Sequence, residues 1–215
     1  MAYRITKRIF DIVAASFATI VFLLPWAVIT ILIKLQSPGP AIYKARRVGK
    51  DGKVFTLYKF RSMRVDSGAI HSTTLRGDPR VFPFGAFLRK SKLDETPQLI
   101  NILKGEMCVI GPRPEDKVNA DKIYVGKYKE ILAVKPGLSS PASLYDYTHG
   151  EVYEREELYE KEFLLKKLDV ELYYVQHKNI WYDLKIIVKT IVTIAQIAFG
   201  KEHFKEPKEL QMLRR

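Results

Sequence analysis

Ile12-Val13-Ala14-Ala15-Ser16-Phe17-Ala18-Thr19-Ile20-Val21-Phe22-Leu23-Leu24-Pro25-Trp26-Ala27-Val28-Ile29-Thr30-Ile31-Leu32-Ile33 is a run of 22 residues without a charge, bracketed by Asp11 and Lys34. Only Ser16, Thr19 and Thr30 in it are polar. The length reaches that of a membrane-embedded helix. A secretory leader fits poorly, because the run is too long and no A-x-A-like site follows. A buried core helix also fits poorly, since a chain of 215 residues rarely encloses a helix that is apolar on every face. Pro25 lies just past the middle, where a proline removes a backbone hydrogen bond and kinks or breaks a helix. Both flanks are basic: Arg4, Lys7 and Arg8 before, Lys34, Lys44, Arg46, Arg47 and Lys50 after. A straight span would strand one cluster on the wrong side of a bilayer. A helix bent at Pro25 that enters and leaves by one leaflet keeps both clusters beside anionic head groups. The residues alone leave a re-entrant helix and a kinked span both open.

Working outward, the composition is 47% hydrophobic, so global disorder is excluded. The net charge of +12 points to an anionic partner: a polyanion, a membrane face or phosphorylated substrates. Residues 1–66 carry 12 Lys and Arg against 3 Asp and Glu, so most of the surplus lies near the apolar run. Cys108 is the single cysteine, which excludes an intramolecular disulfide framework and a CxxC-type zinc site. His71, His149, His177 and His203 are scattered without metal-ligand spacing.

Ser37-Pro38-Gly39-Pro40 ends the apolar run with turn residues. Ala41 to Met63 reads as a β-hairpin turning at Lys50-Asp51-Gly52. It is crowded with cations, among them Lys59 and Arg61. Residues 65–80 read as a polar loop long enough to be a flap. Phe84, Phe87 and Leu88 have helical spacing, with Arg89 behind them. A second helix is expected from Asp94 as N-cap, with Pro97 in its first turn and Gly105 as its stop. Asp94 and Glu95 then sit at a helix N-terminus, which favours negative charge and would keep a carboxylate ionised. Met107 to Ile110 is a short strand running into Gly111-Pro112-Arg113-Pro114, where two prolines stiffen the backbone around a guanidinium suited to phosphate. Glu151 to Glu171 holds 8 acidic and 4 basic residues and reads as a solvated helix without chemistry. Leu184 to Phe199 is an amphipathic helix, in the membrane interface or in the core. The tail after Gly200 is polar and expected to fray.

Several of these stretches resemble one family in order and spacing. They are Lys7-Arg8-Ile9-Phe10-Asp11, Tyr58-Lys59-Phe60-Arg61-Ser62-Met63, Leu88-Arg89-Lys90-Ser91-Lys92-Leu93-Asp94-Glu95-Thr96-Pro97-Gln98-Leu99, Asn101-Ile102-Leu103-Lys104-Gly105-Glu106-Met107, Gly111-Pro112-Arg113-Pro114, Lys135-Pro136-Gly137-Leu138 and Tyr182-Asp183-Leu184-Lys185-Ile186. Over roughly residues 4–195 the chain is similar to the bacterial sugar transferases, the small monotopic polyprenol-phosphate phosphoglycosyl transferases. The resemblance implies transfer of a phospho-sugar from a UDP-sugar to a polyprenol phosphate at the bacterial cytoplasmic membrane, as a first membrane step of glycoconjugate assembly. It implies Asp94 as nucleophile forming a covalent phospho-sugar intermediate, Glu95 as its partner, and Mg²⁺ held by Asp94, with Glu95 as a second candidate. Arg89 and Arg113, then Lys59, Arg61 and Lys135, are the phosphate-binding candidates. It also favours the re-entrant helix broken at Pro25, with the catalytic domain facing the cytoplasm.

The expected architecture is α+β: a re-entrant membrane helix over 1–36, a compact catalytic domain of helices with a small hairpin sheet over 37–200, and a polar tail over 201–215. Membrane lipid is an expected partner, nucleic acid is not, and a homodimer is compatible with the sequence. The competing reading is a catalytically inactive, basic, membrane-anchored module binding lipid or nucleic acid. The sequence departs from the family at Leu24-Pro25, where Ser-Pro is common, and at Pro136-Gly137-Leu138-Ser139-Ser140, where Pro-Gly-Ile-Thr-Gly is common. The second change, with Ala142 to Tyr145 after it, is expected to touch the face toward the nucleotide sugar. Val170-Glu171 stands where the family has Leu-Asp before Tyr-Tyr-Val, here Tyr173-Tyr174-Val175.

Overall fold

A computed structural model describes residues 2–64, 78–150 and 163–213. The chain opens with a 35-residue helix, α1 (Ala2–Gln36), that continues through Pro25. Its inward stripe is Arg8, Asp11, Ala15, Ala18, Phe22, Trp26, Ile29 and Ile33, an i, i+3/i+4 pattern that faces the rest of the protein along nearly the whole helix. The first half packs on Leu57, Leu99, Ile102 and Met107, and the second half on Ala41, Phe60, Phe82 and Leu88. The remaining circumference, including Ile9, Val13, Phe17, Ile20, Leu24, Ile31 and Leu35, is exposed and apolar. By length and composition α1 is long and apolar enough to cross a membrane.

Polar ties fix α1 at both ends. Lys7 Nζ pairs with the buried Asp183 at 2.7 Å, and Tyr3 donates to the same carboxylate. Arg8 donates to the carbonyls of Ile102 and Leu103, and Asp11 accepts from the Val109 amide. At the far end Ser37 receives the Arg61 guanidinium.

The hairpin forms as expected: β1 (Ile42–Val48) pairs antiparallel with β2 (Val54–Phe60). Asp51 and Gly52 take left-handed backbone at the turn, a conformation that aspartate and glycine tolerate better than most residues. Residues 65–77 of the expected flap lie outside the described residues. Helix α2 (Pro83–Lys90) follows. A 3-10 turn over Leu93–Gln98 leads into α3 (Leu99–Lys104), which Gly105 ends in left-handed conformation. The buried Asn101 of α3 donates to the Thr56 carbonyl and accepts from the Tyr58 amide, locking this helix to β2.

β3 (Cys108–Ile110) pairs in parallel with β4 (Gly137–Ser139). The two strands meet at Gly111 and Gly137, where a Cβ on Gly137 would lie 2.0 Å from the Gly111 nitrogen, so only glycine fits. Between them lie α4 (Lys117–Ile123) and a 3-10 segment over Gly126–Ala133. Then come α5 (Pro141–His149), α6 (Leu164–His177), α7 (Ile180–Ala198) and α8 (Lys208–Leu213). Two expectations change here. The acidic stretch is described only from Phe163 onward, and there α6 is no solvated helix: Lys167, Leu168, Val170, Glu171, Leu172, Tyr174 and Val175 are buried. Part of the polar tail folds back, with Glu209 and Leu210 of α8 buried and Glu209 accepting from Tyr182.

Candidate active site

The acidic pair lies where α1, β2 and α2 converge on the Leu93–Gln98 turn. Asp94 does not cap a helix. The residue before the turn is Lys92, at φ 57°, and Asp94 sits inside the 3-10 turn with its side chain buried. No hydrogen bond reaches its Oδ1. Trp26 of α1 donates to Thr96 Oγ1 at 2.9 Å, so the middle of α1 supports the turn directly.

The two carboxylates have different surroundings. Burial pushes the Asp94 carboxyl up to about 6, and the Glu95 charge adds to the rise, while Lys92, Lys59 and Arg89 pull the other way. Burial also works against the Glu95 charge, but Arg113, Lys92 and Lys59 outweigh it and hold that carboxyl down at about 2. Arg113 Nη2 donates to Glu95 Oε1 at 3.2 Å. Glu95 is therefore a settled anion, and Asp94 is a carboxylate whose Oδ1 has no donor among the described residues, with the charges of Lys92, Lys59 and Arg89 acting on it.

Of the sequence candidates, Arg89, Arg113 and Lys59 face the pair. Lys59 lies 5.4 Å from the Tyr43 ring centroid; burial lowers its pKa, opposed by Asp94 and Glu95. Lys59, Glu95, Gln98, Arg113 and Glu115 line an open cleft of about 400 Å³, with Arg47 at its side. Arg61 is elsewhere. Its guanidinium is buried and spent on Ser37 Oγ, Ser37 O and Pro40 O at 2.6–2.7 Å, which anchors the end of α1. Lys135 also lies elsewhere, at a corner with Arg8 where its Nζ would be 3.6 Å from a Cβ on Gly105.

Three residues outside the sequence candidates belong to the surroundings of the pair. The Lys92 charge favours the ionised form of both carboxylates. Gln98 lines the cleft. Glu171 was assigned to a solvated helix, yet its Oε1 accepts from the Arg113 amide at 3.0 Å and from Ser140 Oγ at 3.1 Å, so it holds the Pro-Arg-Pro loop from below. Burial raises the Glu171 carboxyl to about 7, against the hydrogen bonds that favour its charge. The repeat of buried positions at 168, 171, 172 and 175 is the sequence signal that marks it as inward-facing. The 136–145 region reaches the cleft at Gly137. Beyond it Ser140 caps α5 and Ala142, Leu144 and Tyr145 are core.

Among the described residues no three His, Cys, Asp or Glu side chains gather into a metal cage. The pair nevertheless fits Mg²⁺, which is commonly held by one or two carboxylates with substrate phosphates and water completing the shell. The unbonded Asp94 Oδ1 is the available ligand, with Glu95 beside it but already paired to Arg113.

Comparison with known proteins places the chain among relatives of one kind. The family model described as bacterial sugar transferase matches residues 2–197. UDP-glucose:undecaprenyl-phosphate glucose-1-phosphate transferase of Escherichia coli (strain K12) is 34% identical over 191 residues, 87% of this chain and 40% of the relative. UDP-N-acetylgalactosamine-undecaprenyl-phosphate N-acetylgalactosaminephosphotransferase of Aeromonas hydrophila is 38% identical over 199 residues, 89% of this chain and 44% of the relative. The chain thus spans less than half the length of these two proteins. The exopolysaccharide production protein PSS of Rhizobium leguminosarum bv. phaseoli is 34% identical over 200 residues, 88% of this chain and 94% of that protein. The match to the family model over nine-tenths of the sequence, with the acidic pair and the Pro-Arg-Pro turn inside it, shows that the chain belongs to the bacterial sugar transferase family.

Proposed function

We propose that this protein moves a sugar phosphate from a UDP-sugar to a polyprenol phosphate, releasing UMP and leaving a polyprenol-diphosphate sugar. The observation that carries the reading is Asp94: a buried carboxylate with an unbonded oxygen, ringed by Lys59, Arg89 and Lys92 beside the Arg113–Glu95 pair, and resting on a membrane helix. Asp94 attacks the β-phosphorus of the donor, the P–O bond to UMP breaks, and an aspartyl phospho-sugar results. A phosphate oxygen of the polyprenol phosphate then attacks the same phosphorus and frees Asp94. One difficult displacement becomes two. The cations meet the negative charge that spreads over the phosphoryl oxygens, and burial strengthens each contact. Arg113 keeps Glu95 ionised and is itself held by Glu171 through its backbone amide. Mg²⁺, held by Asp94 with Glu95 beside it, would supply further neutralisation of the diphosphate. Incubation with a panel of UDP-sugars and polyprenol phosphate tests the reading: UMP release with one donor supports it, and silence across the panel in the presence of Mg²⁺ counts against it.

The reading extends to the membrane. α1 meets the same domain at Lys7, at Trp26 and at Ile33, while its opposite face is a continuous apolar surface. A helix pinned to one polar domain at both ends lies in one leaflet, and its two ends share the cytoplasmic side of the inner membrane. The exposed Trp181, Val188, Ile191 and Phe199 of α7 then seat in the same interface. Cysteines placed at residues 2 and 37 should react with an impermeant reagent from the same side of sealed vesicles. Reaction from opposite sides would establish a span.

A further inference from the structure

Resting on that reading, we propose that Lys92 is a phosphate-binding residue of the site, held in place by Tyr147, and that its ammonium takes a β-phosphoryl oxygen of the nucleoside diphosphate at Asp94. Lys92 has the left-handed backbone, φ 57° and ψ 14°, that a side chain with a Cβ rarely adopts. The turn keeps it there because the Glu95 amide donates to the Lys92 carbonyl at 3.2 Å. Such strain collects at functional sites, where surrounding structure holds it. The conformation sets Lys92 two residues before Asp94, on the side of the turn facing α5.

Its Nζ lies 4.3 Å from the centroid of the Tyr147 ring, an arrangement that holds a cation without neutralising it. The Tyr147 hydroxyl donates to the Lys90 carbonyl, which fixes the ring against the segment that carries Lys92. Among the described residues Lys92 makes no ion pair. The other cations compare as follows. Arg113 is committed to Glu95 and Arg61 to Ser37 and Pro40. Among the described residues Arg89 donates to Met63 Sδ, at 3.9 Å, and Lys59 stands over Tyr43 on the cleft side. Lys59 of β2 and Lys92 of the turn both pull on the Asp94 charge through space, and among the described residues neither ammonium makes an ion pair. An anion bound at Asp94 meets both.

Lys92→Gly separates this role from a structural one. Glycine accepts the left-handed backbone without strain, so melting should show no loss of stability, while the ammonium is gone. UDP binding by calorimetry and kcat/KM for UMP release should both fall about 10- to 100-fold, the range for losing one charge-assisted hydrogen bond. Lys92→Arg should recover most of both, and Tyr147→Ala, which frees the ammonium to wander, should lose a smaller part of each. Lys104 stands over the Tyr58 ring at 5.2 Å and serves as the control, since Lys104→Ala should bind UDP as the wild type does. Wild-type UDP affinity in Lys92→Gly overturns the assignment, and so does a loss that Lys92→Arg fails to recover. A wild type that neither binds UDP nor releases UMP sinks the transferase reading and this assignment with it, whereas an active wild type with an unimpaired Lys92→Gly sinks this assignment alone.

Discussion

Asp94 and Glu171 are both buried carboxylates with an oxygen that no donor among the described residues reaches, and Arg113 links their neighbourhoods, its side chain on Glu95 and its amide on Glu171. Around Glu171 the other oxygen is bonded twice, to the Arg113 amide and the Ser140 hydroxyl, and these bonds hold a loop. Around Asp94 the charge is balanced by cations whose side chains end short of it. The Oε1 of Glu171, bonded twice, fixes that carboxylate to the loop. A carboxylate balanced only through space keeps an electron pair for chemistry. The difference supports the proposal that Asp94 does chemistry and that Glu171 positions the loop.

The comparison breaks if substitution at the two sites gives similar results. Asp94→Asn keeps the volume and removes the attacking oxygen, so turnover should fall to background while the melting temperature holds. Glu95→Gln should also be severely impaired, since it leaves Arg113 without its anion. Arg113→Ala comes next. Losing one clamp on the phosphoryl oxygens should cost roughly 2–4 kcal/mol, about 30- to 1,000-fold in rate. Near-normal turnover in that variant would remove the guanidinium from the site.

Glu171→Gln should be the mildest, because the amide oxygen still accepts from Arg113 and Ser140; a change of less than about tenfold in kcat/KM is expected. Its signature is in stability against pH. The folded pKa of about 7 lies above the ordinary glutamate value of 4.5, so the folded state binds the proton more tightly. That contribution is complete below about 4.5 and is lost as pH rises through about 7, a decline of the order of 2–3 kcal/mol. Glu171→Gln should flatten this decline in denaturant titrations between pH 4.5 and 8. An unchanged slope would mean that Glu171 is not the buried acid responsible.

Much of the fold was legible where local chemistry decides it. The hairpin followed from Lys50-Asp51-Gly52, and the end of α3 from Gly105. The inward stripe of α1 was not visible, because a helix apolar on all sides carries no periodic signal; its sparse polar contacts through Asp11, Trp26 and Ser37 define it only in three dimensions. Asp94 read as an N-cap because Asp followed by Pro97 is a good helix opening. The turn instead forms around Lys92, and packing overrides the cap. Arg61 and Arg113 looked alike as basic residues in family motifs. Only their partners, Ser37 and Pro40 in one case and Glu95 in the other, tell an anchor from a site residue. Glu171 was hidden by the charge count of its neighbours, most of which lie outside the described residues.

Attack of Asp94 on phosphorus leaves a mark on the protein that can be weighed. The protein is incubated with its UDP-sugar and Mg²⁺ in the absence of polyprenol phosphate, then digested and weighed by mass spectrometry. The peptide containing Asp94-Glu95 should gain the mass of one sugar phosphate, UMP should appear in equal amount, and Asp94→Asn should show neither. An unmodified peptide, under conditions where adding polyprenol phosphate gives full turnover, would mean that the acceptor attacks the donor directly and that Asp94 serves only to hold it.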